Sequence, residues 1–122
     1  MTAAGDWIAK ADEDLRTARL ALANGLWSPA CFHAQQAGEK WIKALYETFG
    51  LPVPRIHDLE TLLEGLEDHG IDASSVMEAA AVLTAYGVDA RYPGFDADAG
   101  EAAEAVEKAE TLAAWAARHL RS

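Results

Sequence analysis

The chain has 122 residues and sets twenty acidic side chains against ten basic ones, a formal net charge of −10, with 51% hydrophobic residues. That balance excludes indiscriminate RNA or DNA binding, which relies on basic groups displacing counterions from phosphates. No apolar run approaches the roughly 20 residues that cross a bilayer, so no membrane-spanning segment is expected.

The length suits one domain, residues 1–122, with a single core that needs no covalent staples. The lone cysteine, Cys31, cannot form an internal disulfide, and Met1 to Lys10 carries neither a basic leader nor an apolar run, so a cytoplasmic location is expected. The acidic excess is uneven. Residues 58–70 carry Asp58, Glu60, Glu64, Glu67 and Asp68 without a lysine or arginine, which reads as a solvated outer face, whereas residues 28–50 balance Glu39 and Glu47 against Lys40 and Lys43.

In chain order, Trp7, Ala11, Leu15, Ala18 and Leu22 are spaced for one face of a helix over about residues 5–24, with Asn24-Gly25 as its stop. Ser28-Pro29 predicts the start of a second helix of about 29–49, serine capping a free amide and proline occupying the first turn, with Gly50 as a left-handed exit. Residues 51–56, Leu-Pro-Val-Pro-Arg-Ile, read as a connector because each proline holds the residue before it extended. A short third helix of about 58–69 ends at Gly70. A fourth begins near Ser75, whose spacing to Glu78 suggests a capping box, and ends near Tyr86-Gly87. Residues 88–98 form the longest loop. Asp98 and Glu101 repeat the capping-box spacing before a last helix through Ala102, Ala105, Ala109, Leu112, Ala116 and Leu120. No strand pattern and no internal repeat occur. The expected fold is all-α, an antiparallel up-and-down helical bundle of about five helices, three long and two shorter.

The second helix carries most of the chemistry. At about 100 degrees per residue, Ala34, Ala37, Gly38, Trp41, Ala44 and Leu45 form an apolar side, while His33, Gln36, Lys40, Lys43 and Glu47 form a polar stripe. Phe32 projects among the polar residues, and Gln35, Ile42 and Tyr46 lie on the border. Apolar groups along that border suggest an interface, so a homodimer is expected.

The run Phe32-His33-Ala34-Gln35-Gln36-Ala37-Gly38-Glu39-Lys40, then His57-Asp58-Leu59, then Ala90-Arg91-Tyr92-Pro93, in that order within an all-helical chain, resembles the HEPN family of nucleotide-binding domains from higher eukaryotes and prokaryotes. The resemblance covers nearly the whole chain. It implies a small helical bundle, usually a homodimer, often encoded beside a minimal nucleotidyltransferase as a toxin and antitoxin pair. Many members are metal-independent ribonucleases that use an arginine, four to six intervening residues, then a histidine.

That catalytic pattern is missing. The positions following Arg91 at which a histidine should stand are Asp96, Ala97 and Asp98, and the equivalents after Arg16, Arg19 and Arg55 hold no histidine either. Cleavage at a ribose 2′-hydroxyl without a metal needs a group that moves a proton near neutrality and a cation on the phosphate. Arg91 suits the second role. Asp96 and Asp98 are poor substitutes for the first and would repel the phosphate.

The remaining candidates have two readings each. His57 and Asp58 stand at the start of the third helix, where they can cap free amides; alternatively, His57 and His33 approach Arg91 and form a phosphate or nucleotide pocket. Tyr92, ahead of Pro93, packs or stacks on a base. His69 and His119 precede helix ends and read as structural. Cys31 reads as a packed small side chain rather than a nucleophile. No histidine has a glutamate three residues before it and there is one cysteine, so neither a di-metal centre nor a thiolate zinc cage is indicated, and no cofactor is implied.

The expected function is a binding or regulatory module that recognises a nucleotide, partners a minimal nucleotidyltransferase, or both. Its ligand-binding candidates are His33, Gln36, Lys40, Lys43, His57, Asp58, Arg91 and Tyr92. One alternative is a ribonuclease toxin with a rearranged site, using Arg91 with His33 or His57; another is a structural adaptor.

Overall fold

The computed structural model describes residues 2–89, 93–94 and 96–120. Five α-helices follow one another: α1 (Ala3–Ala23), α2 (Trp27–Thr48), α3 (Leu59–Glu67), α4 (Met77–Asp89) and α5 (Ala99–Leu120), with a 3₁₀ turn at Ser74–Val76 ahead of α4. The described residues contain no strand. The expected all-helical bundle is what the chain forms.

Helix α2 is the hub, packed against α1, α3, α4 and α5. Its alanines explain how that is possible: Ala30, Ala34, Ala37 and Ala44 are fully buried, and side chains this small let neighbouring helices approach closely. At Gly38 the approach is tightest. A Cβ added there would stand 3.2 Å from the Cδ1 atoms of both Leu83 and Leu112 and 3.4 Å from that of Leu59, so α3, α4 and α5 converge on one glycine. Helix α3 is only nine residues long and would not persist alone in water. Leu59, Leu62, Leu63 and Leu66 are all fully buried and hold it to the bundle, each contributing about 1.5–3 kcal/mol on the scale of transfer from water. Tyr46 adds a tie from α2, its hydroxyl donating to the Leu62 carbonyl at 2.6 Å.

The stops of α1, α2 and α3 fall where expected. Asn24 ends α1, and Gly25, Gly50 and Gly70 take left-handed φ values of 73°, 70° and 86°. The starts are more instructive. Ser28 is not a cap: α2 begins at Trp27, and Ser28 Oγ instead accepts from the Ala97 amide at 3.2 Å, joining the head of α2 to the approach of α5. Nor does Ser75 open α4. Asp72 Oδ1 takes both the amide and the hydroxyl of Ser74, at 2.9 and 2.7 Å, and the resulting 3₁₀ turn delivers the chain to Met77. Those bonds hold the Asp72 carboxyl below its usual range. Helix α4 also continues through Gly87 to Asp89. The second capping box is present in both directions, Glu101 N–H on Asp98 Oδ1 at 2.7 Å and Asp98 N–H on Glu101 Oε1 at 3.0 Å.

Ile42 and Tyr46 are 0% and 4% exposed. They are core residues of the protomer, so the border argument for a dimer does not hold for them. The half-buried Phe32 is what remains of that border.

Candidate functional site

Two carboxylates organise the polar side of α2. The first is Asp14, on α1, whose position one turn before the buried Ala18 aims it at the facing helix. Its Oδ1 accepts from His33 Nδ1 at 2.9 Å and its Oδ2 pairs with Lys40 Nζ. His33 and Lys40 stand seven residues apart on α2, two turns along one line, and a single carboxylate bridges them. His33 also sets its ring edge-on to Phe32 at 5.2 Å.

The second carboxylate is Glu39, and it is buried. Gln35, Glu39 and Lys43 repeat every four residues, forming a line beside the first, and are only 1%, 5% and 5% exposed. Glu39 Oε2 pairs with Lys43 Nζ at 3.0 Å, and both its oxygens lie 3.1 Å from His57 Nδ1. Gln35 Nε2 lies 3.3 Å from Glu39 Oε1 and 3.4 Å from the His57 carbonyl, while Gln35 Oε1 accepts from Gln36 Nε2 at 2.8 Å. Lys43 has its ammonium 5.7 Å from the centre of the Trp7 ring, so α1 covers the pair from the other side. Burying an ion pair is costly unless its remaining hydrogen-bonding capacity is met. Here a histidine and a glutamine take up the carboxylate's remaining capacity, and the ammonium faces the Trp7 ring.

His57 therefore does something different from its neighbour. Asp58 caps α3, its Oδ1 accepting from the Thr61 amide at 3.0 Å, while Thr84 Oγ1 takes the Leu59 amide at 3.1 Å. Capping is the role of Asp58 alone. His57 turns to Glu39, with a side chain 76% exposed above a carboxylate that is 6% exposed.

Both histidines share one geometry. Each gives Nδ1 to a carboxylate, which accepts, so the proton sits on Nδ1 and the other ring nitrogen, Nε2, has no partner among the described residues. A ring held this way is fixed in tautomer and direction.

Arg91 and Tyr92 lie outside the described residues, so their relation to this network is not part of the geometry. The positions after Arg91 do have observed duties: Ala97 is buried with its amide on Ser28, and Asp98 caps α5. His69 and His119 each place Nδ1 3.0 Å from the carbonyl four residues back, Gly65 and Trp115, in the helix-terminal role the sequence suggested. Burial, with Glu101 and Asp98 nearby, pushes the Cys31 thiol up to about 11, which keeps it protonated and unreactive at neutral pH. Among the described residues no three His, Cys, Asp or Glu side chains gather as a set for a metal ion, and no helix is long and apolar enough to cross a membrane.

Of the eight ligand-binding candidates, His33, Gln36, Lys40, Lys43 and His57 belong to the two hydrogen-bonded groups around Asp14 and Glu39. Lys43 belongs as a buried strut, not as a surface cation. Sequence reasoning missed Asp14, Gln35 and Glu39 as organisers. The Gln35-Glu39-Lys43 spacing was a visible signal for two of them; nothing local marks Asp14, which needs the packing of α1 on α2.

Comparison with known proteins gives the following. The sequence model of the HEPN domain matches residues 4–120. Among solved structures, TT1696 from Thermus thermophilus is 33% identical, with 97% of this chain and 98% of that one covered and a TM-score of 0.87. ST0689, described as an archaeal HEPN homologue, is 26% identical over 98% and 99% of the two chains, with a TM-score of 0.81. A HEPN domain protein from Thermotoga maritima, tm0613, shares the fold at 22% identity, covering 95% and 98%, with a TM-score of 0.78. No curated protein matches the chain.

Proposed function

The chain belongs to the HEPN family, and on that premise we propose that it is a binding module which takes a nucleotide through its phosphates at the polar side of α2. The observation that carries this reading is the pair of histidines, His33 and His57, each oriented by a carboxylate with Nε2 left for a ligand. Gln36 stands between them in sequence, and Arg91 is the permanently charged side chain that the sequence reading assigns to the phosphate. The lysines are already engaged, Lys40 by Asp14 and Lys43 by Glu39, which argues against a nucleic-acid surface and for a small ligand held by a few directed groups.

A homodimer and a minimal nucleotidyltransferase as protein partner complete the proposal and rest on the family likeness. The test of the central reading is a thermal-shift screen against ATP, GTP, AMP and short RNA, with Arg91→Ala alongside, since a ligand that binds only the folded state raises its melting temperature, by about 2.7 kcal/mol of stability at a hundredfold excess over Kd. The expected result is a shift with a nucleotide that Arg91→Ala abolishes. No shift with any of them contradicts the reading and favours a protein partner.

One observation favours a second reading, a ribonuclease with a rearranged site. An imidazole with Nδ1 on a carboxylate and Nε2 open is the arrangement of a general base. RNA cleavage by the wild type that disappears in Arg91→Ala, with melting temperature unchanged, would establish it; cleavage that survives would remove it.

A further inference from the structure

We infer that the connector between α2 and α3 holds the ligand at two points, the Arg55 guanidinium taking a phosphate and His57 Nε2 accepting a hydrogen bond from a ribose hydroxyl. The inference rests on the nucleotide reading above and names its anchoring residues, so the ligand class is a 5′-phosphorylated ribonucleoside.

The need for a further donor follows from the geometry of the histidine. His57 gives its Nδ1 proton to Glu39, at 3.1 Å, so Nε2 of the neutral ring carries a lone pair and accepts. A phosphate oxygen also accepts and cannot bond to it; a sugar hydroxyl donates and can. The phosphate therefore needs its own donor. Lys40 and Lys43 are held by Asp14 and Glu39. Elsewhere Arg16 is paired with Asp12, Arg19 with Glu110 and Lys108 with Glu78. Among the described lysines and arginines, that leaves Lys10, Arg55 and Arg118 without a carboxylate partner.

Their surroundings separate the three. Lys10 has Asp6, Glu13 and Asp14 three and four residues away on α1, neighbours on a helix surface that repel an anion. Arg118 stands in the last turn of α5, a helix that gives no side chain to the groups around Asp14 and Glu39. Arg55 is exposed two residues before His57, a stretch of backbone that spans at most about 7 Å. The segment that presents it is fixed at both ends. The Leu51 amide donates to the Tyr46 carbonyl at 2.9 Å, and at the other end the His57 ring is on Glu39 while Asp58 caps α3. Between these ties Pro52 and Pro54 each lock a backbone angle, so little freedom is lost when a ligand binds there. The neighbouring carboxylate, Asp58, is turned to the Thr61 amide. A guanidinium, planar with parallel N–H groups, matches two oxygens of one phosphate.

The probe is ATP, titrated calorimetrically into the wild type, Arg55→Gln, Arg118→Gln and Arg91→Ala, with 2′,3′-dideoxy-ATP titrated beside it into the wild type and His57→Phe. Arg55→Gln and Arg118→Gln each remove one positive charge from an exposed, unpaired arginine, so together they separate position from net charge. The expected result is ATP binding weakened about tenfold or more by Arg55→Gln and unchanged by Arg118→Gln. The wild type should prefer ATP to its dideoxy analogue by about fivefold, a preference that His57→Phe abolishes. Undiminished affinity in Arg55→Gln, or an equal loss in Arg55→Gln and Arg118→Gln, would overturn the role of Arg55; ATP still bound by the wild type would leave the nucleotide reading standing. No preference for ATP over the analogue, or one that survives in His57→Phe, would overturn the hydroxyl contact. No binding of ATP to the wild type would overturn the nucleotide reading and this inference with it. A melting curve of each variant confirms that it is folded.

Discussion

Gly38 and Glu39 are consecutive residues of α2 that face two kinds of interior. Gly38 has no side chain because Leu59, Leu83 and Leu112, from three other helices, occupy the space it leaves. Glu39 is nearly as buried, yet its neighbours are Lys43, His57 and Gln35. The first surface is governed by shape alone, and any chain with enough leucine and alanine could make it. The second is costly to bury and adds no stability that apolar residues could not supply. Its distinctive product is a single exposed imidazole held in one orientation. That contrast is why the polar side, and not the better-packed one, is read as the functional face.

The contrast is broken most severely at Glu39. Glu39→Ala leaves the Lys43 ammonium buried without its partner and should cost about 3–5 kcal/mol in chemical denaturation. A paired replacement, Glu39→Leu with Lys43→Met, removes both charges and should recover most of that loss. It also releases His57, so nucleotide-induced stabilisation should not return with the stability. If ligand response recovers together with stability, Glu39 is a packing device and no more.

The apolar side is probed by pH at Cys31. Its folded-state pKa is raised from 9.0 to about 11, so the native state keeps a proton that the unfolded state releases. The contribution is complete below pH 9.0 and is lost as the pH rises towards about 11. Over the whole rise it amounts to at most about 3 kcal/mol. Cys31→Ala should flatten that part of the alkaline stability profile and leave the part due to Tyr46 and Tyr86, whose hydroxyls burial also pushes up. An unchanged profile would show that the thiol is not sequestered.

Gly38→Ala should have the smallest effect. Pressing a methyl group on three leucine ends costs about 1–3 kcal/mol, while alanine regains about 1 kcal/mol of helix propensity, for a net loss of roughly 1 kcal/mol. A stabilised variant would mean that the four-helix junction has room the distances do not show.

How much of this could be read beforehand follows the range of the interactions. Helix ends at Gly25, Gly50 and Gly70 are local matters of left-handed backbone, and the sequence marks them. Ser28 defeats the same logic because its oxygen is claimed by Ala97, sixty-nine residues away. Ser75 fails for a nearer reason: Asp72 makes a tighter turn first. The Phe32 to Lys40 phrase and the His57-Asp58 pair contain residues that the structure ties to Asp14 and Glu39, but the pair divides its labour, one residue capping and the other anchored to α2. The polar stripe also contained Lys43, which a periodic reading sets beside Lys40 and which packing buries. Periodicity says which side a residue leaves from and not what it meets.

The claim on which the account turns is that His33 and His57 carry their protons on Nδ1 and expose Nε2. Long-range ¹⁵N–¹H correlation of the imidazole rings, with both histidines assigned by substitution, tests it without any ligand. With the rings neutral, the account predicts a protonated Nδ1 and an unprotonated Nε2 in both residues, and loss of that preference at His57 in the Glu39→Leu/Lys43→Met protein. Protonated Nε2 in the neutral wild-type rings would contradict it.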